Sequence, residues 1–245
     1  MISNETLFIE TVDSTNLLMK RLLAENPDLP SCFVVAADYQ TAGRGQGANR
    51  WQSDAGQNIL ASILFHPRFS PSQQFVFNQC FSLAVRRMLL HYLSDVKIKW
   101  PNDIYVNHCK IAGILIEHSL EGERIKHTVA GIGLNVNQTA FDDDIPHPVS
   151  LKLLLGKELN PKLLLHELIE ECKNINCINN SDHQKINKEY HDSLYLFEMY
   201  ALYEIEEKTI LAEIVGTDKF GRLLLKDQRG KEYCCGMKEV RFLSL

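Results

Sequence analysis

The run Thr41-Ala42-Gly43-Arg44-Gly45-Gln46-Gly47-Ala48-Asn49-Arg50-Trp51 lies between two apolar stretches of strand length, residues 32–38 and 58–65. The order is therefore strand, glycine loop, strand. A Rossmann turn leads from a strand into a helix, and a Walker A loop needs Gly-Lys-Ser/Thr ahead of a helix. Neither is present. Glycine allows close backbone approach and unusual dihedrals. Backbone N–H groups and two guanidinium groups suit phosphate oxygens. The run reads as a flexible loop that folds over a phosphorylated or adenylated ligand. Taken alone, the same glycines equally suit a mobile surface loop without a ligand.

The rest of the chain alternates helical and strand patterns. Asp13 or Ser14 can cap a helix that carries Leu18, Leu22 and Leu23 on one face and ends at residues 26–30. Residues 67–71 read as a turn. Phe81, Ala84, Val85, Met88 and Tyr92 recur at helical spacing and predict a helix over 73–93. Strands are expected at 96–100, 103–106, 110–117 and 127–136, with 107–109 joining the second to the third. Asn160-Pro161 starts a helix that continues through Leu164, Leu168 and Cys172. The Asn-rich stretch 174–187 reads as a weak helix or a loop. Beyond about 196 come short β runs at 201–205, 209–215, 222–226 and 231–235, separated by turns, as in a small β-barrel. Two domains follow, 1–195 and 196–245.

A net charge of −5 over 245 residues argues against a general nucleic-acid or anionic-membrane binder. No basic and apolar leader opens the sequence, and no apolar run has the length of a membrane span. Seven cysteines without a Cys-x-x-Cys pair fit reduced thiols in a cytoplasmic protein. Nine histidines show no metal-ligand spacing, so no fixed metal site is expected.

Four further clusters carry chemistry. Lys99-Trp100-Pro101-Asn102-Asp103 puts an indole, an amide, a carboxylate and an ammonium on one turn, or is simply a turn around a buried Trp. Lys110 opens the apolar run Ile-Ala-Gly-Ile-Leu-Ile-Glu117; such a lysine is otherwise a solvated flank. Gly131-Ile-Gly133-Leu-Asn135 leaves room for a ligand, since glycines inside a strand mark a bulge or a close approach. Asp13-Ser14-Thr15-Asn16 is a helix cap or a binder of a small polar head group.

In this order, Asp-Ser-Thr-Asn, Gln40-Thr-Ala-Gly-Arg-Gly, Lys-Trp-Pro-Asn-Asp, Lys-Ile-Ala-Gly-Ile-Leu-Ile-Glu and Gly-Ile-Gly-Leu-Asn resemble the biotin protein ligases over residues 10–137. The resemblance implies an α+β fold. It has a mixed sheet with helices on one side, like class II aminoacyl-tRNA synthetases, and a C-terminal SH3-like barrel. It implies formation of biotinyl-5′-AMP from biotin and ATP with Mg²⁺, then transfer of biotin to a lysine of a biotin carboxyl carrier protein. Biotin contacts carry over to Ser14, Thr15, Asn16, Gln40, Gly43, Arg44, Gly45, Gln46, Lys110 and Gly113. ATP and adenylate contacts carry over to Arg44, Arg50, Trp51, Asn102, Asp103 and Asn135. Lys110 and Arg44 are the expected catalytic cations, with Arg50 and Lys99 as helpers; Mg²⁺ comes with ATP.

Many relatives read Gly-Arg-Gly-Arg where this chain has Gln46, and a neutral amide does not replace a guanidinium. The first motif starts at Asp13, so a helix-turn-helix domain, DNA binding and repressor function are not expected. A homodimer is an open alternative. So are lipoate or octanoate ligation on the same fold, and a non-catalytic module that binds the adenylate.

Overall fold

Strand β3 (Ile59–Phe65) is buried at all seven of its positions. A strand buried on both faces must be central and covered twice. In the computed structural model, which describes residues 6–47, 49–143, 145–175, 178 and 180–243, it has that place. The other strands are β1 (Thr6–Val12), β2 (Val34–Gln40), β4 (Lys97–Lys99), β5 (Asp103–Val106), β6 (Cys109–Glu121) and β7 (Arg124–Leu134). The sheet runs β1-β2-β3-β7-β6-β5-β4. β1 lies parallel to β2 and all other neighbours are antiparallel, so the sheet is mixed.

Alternation along the strands sorts two faces. Val34, Ala36, Ala61, Ile63, Phe65, Ala130, Ile132 and Leu134 join the main core with helices α2 (Gln74–Leu90), α4 (Pro161–Cys172) and α5 (His183–Asp192). Val35, Leu64 and Val129 point the other way and bury Met19 and Leu23 of α1 (Thr15–Glu25). Each such side chain contributes roughly 1.5–3 kcal/mol when taken from water. Helices thus cover both faces, and the expectation of a one-sided sheet is overturned. The parity of the strands is the reason, because residues 33–36 are buried on both sides. The short helix α3 (Leu151–Leu155) is capped by the Ser150 hydroxyl.

Strands β8 (Ala201–Ile205), β9 (Lys208–Thr217), β10 (Leu223–Asp227), β11 (Glu232–Cys235) and β12 (Val240–Phe242) form a second, antiparallel sheet in the order β11-β10-β9-β8-β12. Its inward residues Tyr203, Ala212, Ile214, Leu223 and Leu225 belong to the same apolar core as the large sheet. Polar contacts bind the two together. Trp100 Nε1 donates to the Gly221 carbonyl at 2.9 Å, across the cis Trp100–Pro101 turn. His191 Nε2 of α5 accepts the Thr217 N–H of β9 at 3.0 Å, and the neighbouring Tyr190 Oη holds α5 to the same turn by donating to the Pro101 carbonyl at 2.9 Å.

Several elements differ from the sequence expectations. β1 and β12 carry no clear alternation and were not foreseen; Leu7 and Phe8 of β1 are exposed. The β6–β7 hairpin is longer than expected and turns at Gly122, φ 59°. α5 begins inside the Asn-rich stretch and half of it lies beyond; residues 176, 177 and 179 of the stretch are outside the described residues. The six described cysteines are free thiols, and no described helix is long and apolar enough to cross a membrane.

Gly221 holds the junction of the sheets. Its φ is 85°, and a Cβ there would stand 2.2 Å from the Phe75 ring. Overpacking and a left-handed backbone both oppose a side chain. Gly221→Ala is expected to lower the unfolding free energy by about 2–4 kcal/mol. Urea titration measures this; an unshifted midpoint would show that the junction is not tight.

Candidate functional site

The cleft lies on the α1 face of the large sheet, where β3, β6 and β7 present small or polar residues. Gly113, Gly131 and Gly133 line it, with Ser62 buried beneath Thr15 and Asn16, where the opposite face has Ile63, Ile114 and Ile132. A Cβ on Gly131 would lie 2.2 Å from Asn16 Oδ1, and one on Gly133 would lie 2.2 Å from the Trp51 indole. The glycines are thus required by close packing, not by backbone dihedral.

The start of α1 forms one end. Ser14 occupies the N-cap position with extended backbone, but its side chain makes no cap hydrogen bond. Its hydroxyl faces the cleft instead, which removes the simple helix-cap reading. Asp13 accepts the Ser14 N–H at 2.8 Å and both Arg21 nitrogens at 2.8 Å. The Arg21 guanidinium is the main reason its carboxyl sits down at about 2. Gln40 Oε1 accepts the Thr15 N–H at 2.7 Å and the Thr15 hydroxyl at 3.2 Å. That leaves the Gln40 N–H₂ as a donor toward the cleft.

Asn16 is fixed on every side. Its Nδ2 donates to Glu117 at 2.9 Å and to the Leu115 carbonyl at 3.3 Å, while Oδ1 accepts from Ser62 Oγ. Its N–H groups are spent within the protein, so it shapes the cleft rather than donating to a ligand. Burial alone would raise the Glu117 carboxyl; hydrogen bonds from Lys20 and Asn16 overcome this and hold it below its usual range. Ser62 and Glu117 were not among the expected site residues. The one signal for Ser62 was a lone hydroxyl inside the apolar run of β3.

The glycine loop is a small two-stranded ladder. Arg44 bridges Arg50, Gly45 N donates to Asn49 O at 2.8 Å, and Trp51 N donates to Gly43 O at 3.1 Å. Ala48 lies outside the described residues. Arg44, Gly45, Gln46, Arg50 and Trp51 line the cleft. Gly43 opens on the neighbouring cavity, where its missing Cβ makes room for the Trp51 carbonyl.

Opposite the loop, Lys110 Nζ donates to Asp103 Oδ2 at 2.7 Å and lies 5.8 Å from the Trp51 ring. The lysine is not a solvated flank: its side chain is 25% exposed. Residues 147–149 bind its backbone on both sides, at 2.7 and 3.0 Å. Asn102 is buried and donates to the Ile114 carbonyl at the cleft wall.

Two expected residues fall elsewhere. Asn135 does not line the cleft; its amide donates to the Val149 carbonyl at 3.0 Å, so it anchors the segment that holds Lys110. Lys99, expected as a helper, pairs with Asp103 in the ladder but does not line the cleft. Its ammonium sits over the Tyr105 and Phe242 rings, at 4.7 and 5.1 Å, and burial pushes its pKa down.

The cavity so enclosed holds only about 120 Å³. Small-molecule pockets usually span about 300–1,000 Å³. The Trp51 indole explains the difference. It stands on Gly113 and Gly133, and its Nε1 is buried without a hydrogen-bond partner. A buried unpaired N–H costs about 1–3 kcal/mol, so the indole is not strongly held there.

The biotin/lipoate A/B protein ligase family matches residues 8–135 of this chain. The bifunctional ligase/repressor BirA of Bacillus spizizenii is 27% identical over 94% of this chain and 72% of its own length. The human biotin–protein ligase is 31% identical over 67% of this chain, which spans only 25% of that protein. The fold matches the biotin protein ligase of Aquifex aeolicus, solved with biotin and ATP. The TM-score is 0.76 at 23% identity, covering 98% of this chain and 99% of the other.

Gly133→Ala is expected to push the Trp51 indole off the sheet, because the added carbon has no space beneath it. Trp51 fluorescence, isolated as the difference between matched proteins with and without Trp51→Phe, should shift to the red. Unchanged emission would place the indole elsewhere.

Proposed function

The chain belongs to the biotin/lipoate A/B protein ligase family, and we infer that it is an ATP-dependent biotin protein ligase. One observation carries this reading. Arg44 and Lys110 face each other across a cleft that ends in the uncommitted Ser14 hydroxyl and Gln40 N–H₂. A cyclic urea offers both a carbonyl and N–H groups to such an end. A dithiolane offers neither, so this end favours biotin over lipoate as substrate.

Adenylation brings a carboxylate to the α-phosphorus of ATP, and the two anions repel. The carboxylate oxygen forms the new bond to phosphorus while pyrophosphate leaves. Preformed cations offset the charge without reorganisation. Lys110 serves the carboxyl end: an arriving carboxylate takes the place of Asp103 beside its ammonium. Arg44 and Arg50 serve the phosphate. Trp51 would leave the floor and flank the adenine, which frees the volume the ligand needs. Asn102 and Asp103 border the nucleotide end. Mg²⁺ would enter with ATP, with the Asp103 carboxylate the donor at hand in the cleft wall, and would screen the phosphate charge.

In the second half, the amine of an acceptor lysine attacks the acyl carbonyl and AMP leaves. No nucleophile from this chain is required. The acceptor would be the carrier domain of a biotin-dependent carboxylase. The loop excludes water that would hydrolyse the mixed anhydride.

Biotin-dependent release of pyrophosphate from ATP, compared with lipoate, tests the reading. Activity with lipoate alone, or binding without pyrophosphate release, would overturn it in favour of the lipoate ligase or the non-catalytic module. Lys110→Ala is expected to lower adenylation roughly 10²–10³-fold, the cost of about 3–4 kcal/mol of preorganised charge. Its thermal unfolding should stay cooperative. A folded variant with wild-type rate would remove Lys110 from the chemistry.

A further inference from the structure

Gln46 leaves the loop one guanidinium short. The structure puts a different cation beside the vacancy in charge. The Gln46 amide donates to Met237 Sδ, and the next loop residue, Gly47, meets Lys238. A Cβ on Gly47 would lie 3.6 Å from both Cε and Nζ of that lysine. Met237 and Lys238 sit in the tight turn between β11 and β12. Glu239 closes the turn: its carboxylate accepts the Gly236 N–H at 2.7 Å. Lys238 makes no ion pair among the described residues, with Glu239 included.

The backbone supports a specific placement. Lys238 has φ 79°, a conformation that side-chain-bearing residues adopt at a cost. The turn also borders the ligand cleft. A cavity of about 370 Å³ between the two sheets is lined by Met237 and shares Gln46, Pro101, Asn102 and Leu115 with the cleft. An ammonium on a four-carbon stem thus reaches the loop tip from the second sheet.

Building on the ligase reading, we propose that Lys238 supplies, from the C-terminal sheet, the positive charge that Gln46 does not, and that it retains the adenylate. The phosphodiester of an acyl-adenylate keeps one negative charge. When the loop lies on it, the cation at Gly47 lies with it. Retention then requires both sheets, and Arg44 and Arg50 act on the phosphate from the loop's base.

The test is the release rate of radiolabelled biotinyl-AMP formed in place. Lys238→Met keeps the stem and removes the charge; Lys238→Gly removes the charge and suits the positive φ. Both should release about ten- to hundred-fold faster, as for the loss of a charged hydrogen bond. Lys238→Arg should remain near wild type. Gln46→Arg should change little alone and restore retention in the Lys238→Met background. Wild-type release from both Lys238→Met and Lys238→Gly would overturn the proposal. So would acceleration in only one of them, which would report on the stem or the turn and not on charge. Failure of Gln46→Arg to rescue would overturn it too, since the two positions would not serve one phosphate. A wild-type protein that forms no biotinyl-AMP is a separate result: it would remove the ligase reading, and this inference with it.

Discussion

The seating of Asn16 on Gly131 is the contact from which the cleft is built. Its amide reaches β3 through Ser62 and β6 through Leu115 and Glu117, while β7 supplies the space. This single side chain fixes the rotation and height of α1 over the sheet. Ser14 and Thr15 follow by covalent geometry, and Gln40 follows Thr15 by hydrogen bond. A buried amide with its donors satisfied is costly to misplace, because any shift leaves polar atoms unpaired in an apolar setting. The same contact explains why α1 is the helix covering this face. Glycine and serine give the sheet no apolar grip beyond Leu64 and Val129, and the ungripped area is the cleft.

The two faces of the sheet therefore do different work with the same strands. On one, Ile63, Ile114 and Ile132 lock into α2 and α4. On the other, their immediate neighbours Ser62, Gly113, Gly131 and Gly133 hold almost no side-chain volume. Rigidity comes from the packed side and is lent to the open one. The Lys110 ammonium gains from this. Its strand is fixed by the core, its backbone by residues 147–149, and its charge by Asp103. Such a cation is oriented before any ligand arrives, which is the condition for electrostatic stabilisation of developing charge.

Much of this was legible in the chain. The strand–loop–strand order, the strands around Lys110 and Gly131, and the β-rich tail all carry local signals that tertiary packing does not override. The placement of Arg44, Lys110, Trp51, Asn102 and Asp103 at one cleft was legible from motif order. What was not legible depended on distant partners. β1 forms through a parallel ladder with β2, a pairing no local pattern encodes. Lys99 and Lys110 look alike as cations near a turn, and both share the face of Asp103, yet the rings of Tyr105 and of Phe242, far along the chain, hold the Lys99 ammonium apart. Asn135 sits one residue past β7, where its amide is claimed by Val149. Ser62 is a small hydroxyl in an apolar strand, and only its neighbours give it meaning.

The bond from Trp100 to Gly221 spans 121 residues. It bears on the order in which this protein can mature during synthesis. The turn that presents Asn102 and Asp103 is braced by Tyr190 and by a carbonyl from the turn between β9 and β10, and the Lys99 cage closes with Phe242. On the ribosome, the large sheet can condense once β7 and its helices emerge, but this wall of the cleft stays unbraced until the second sheet follows. A nascent chain paused between the two sheets would hold the motifs in rough proximity without the fixed geometry that activates a substrate. On the ligase reading, premature formation of a reactive mixed anhydride on an unfinished chain is thereby disfavoured by topology.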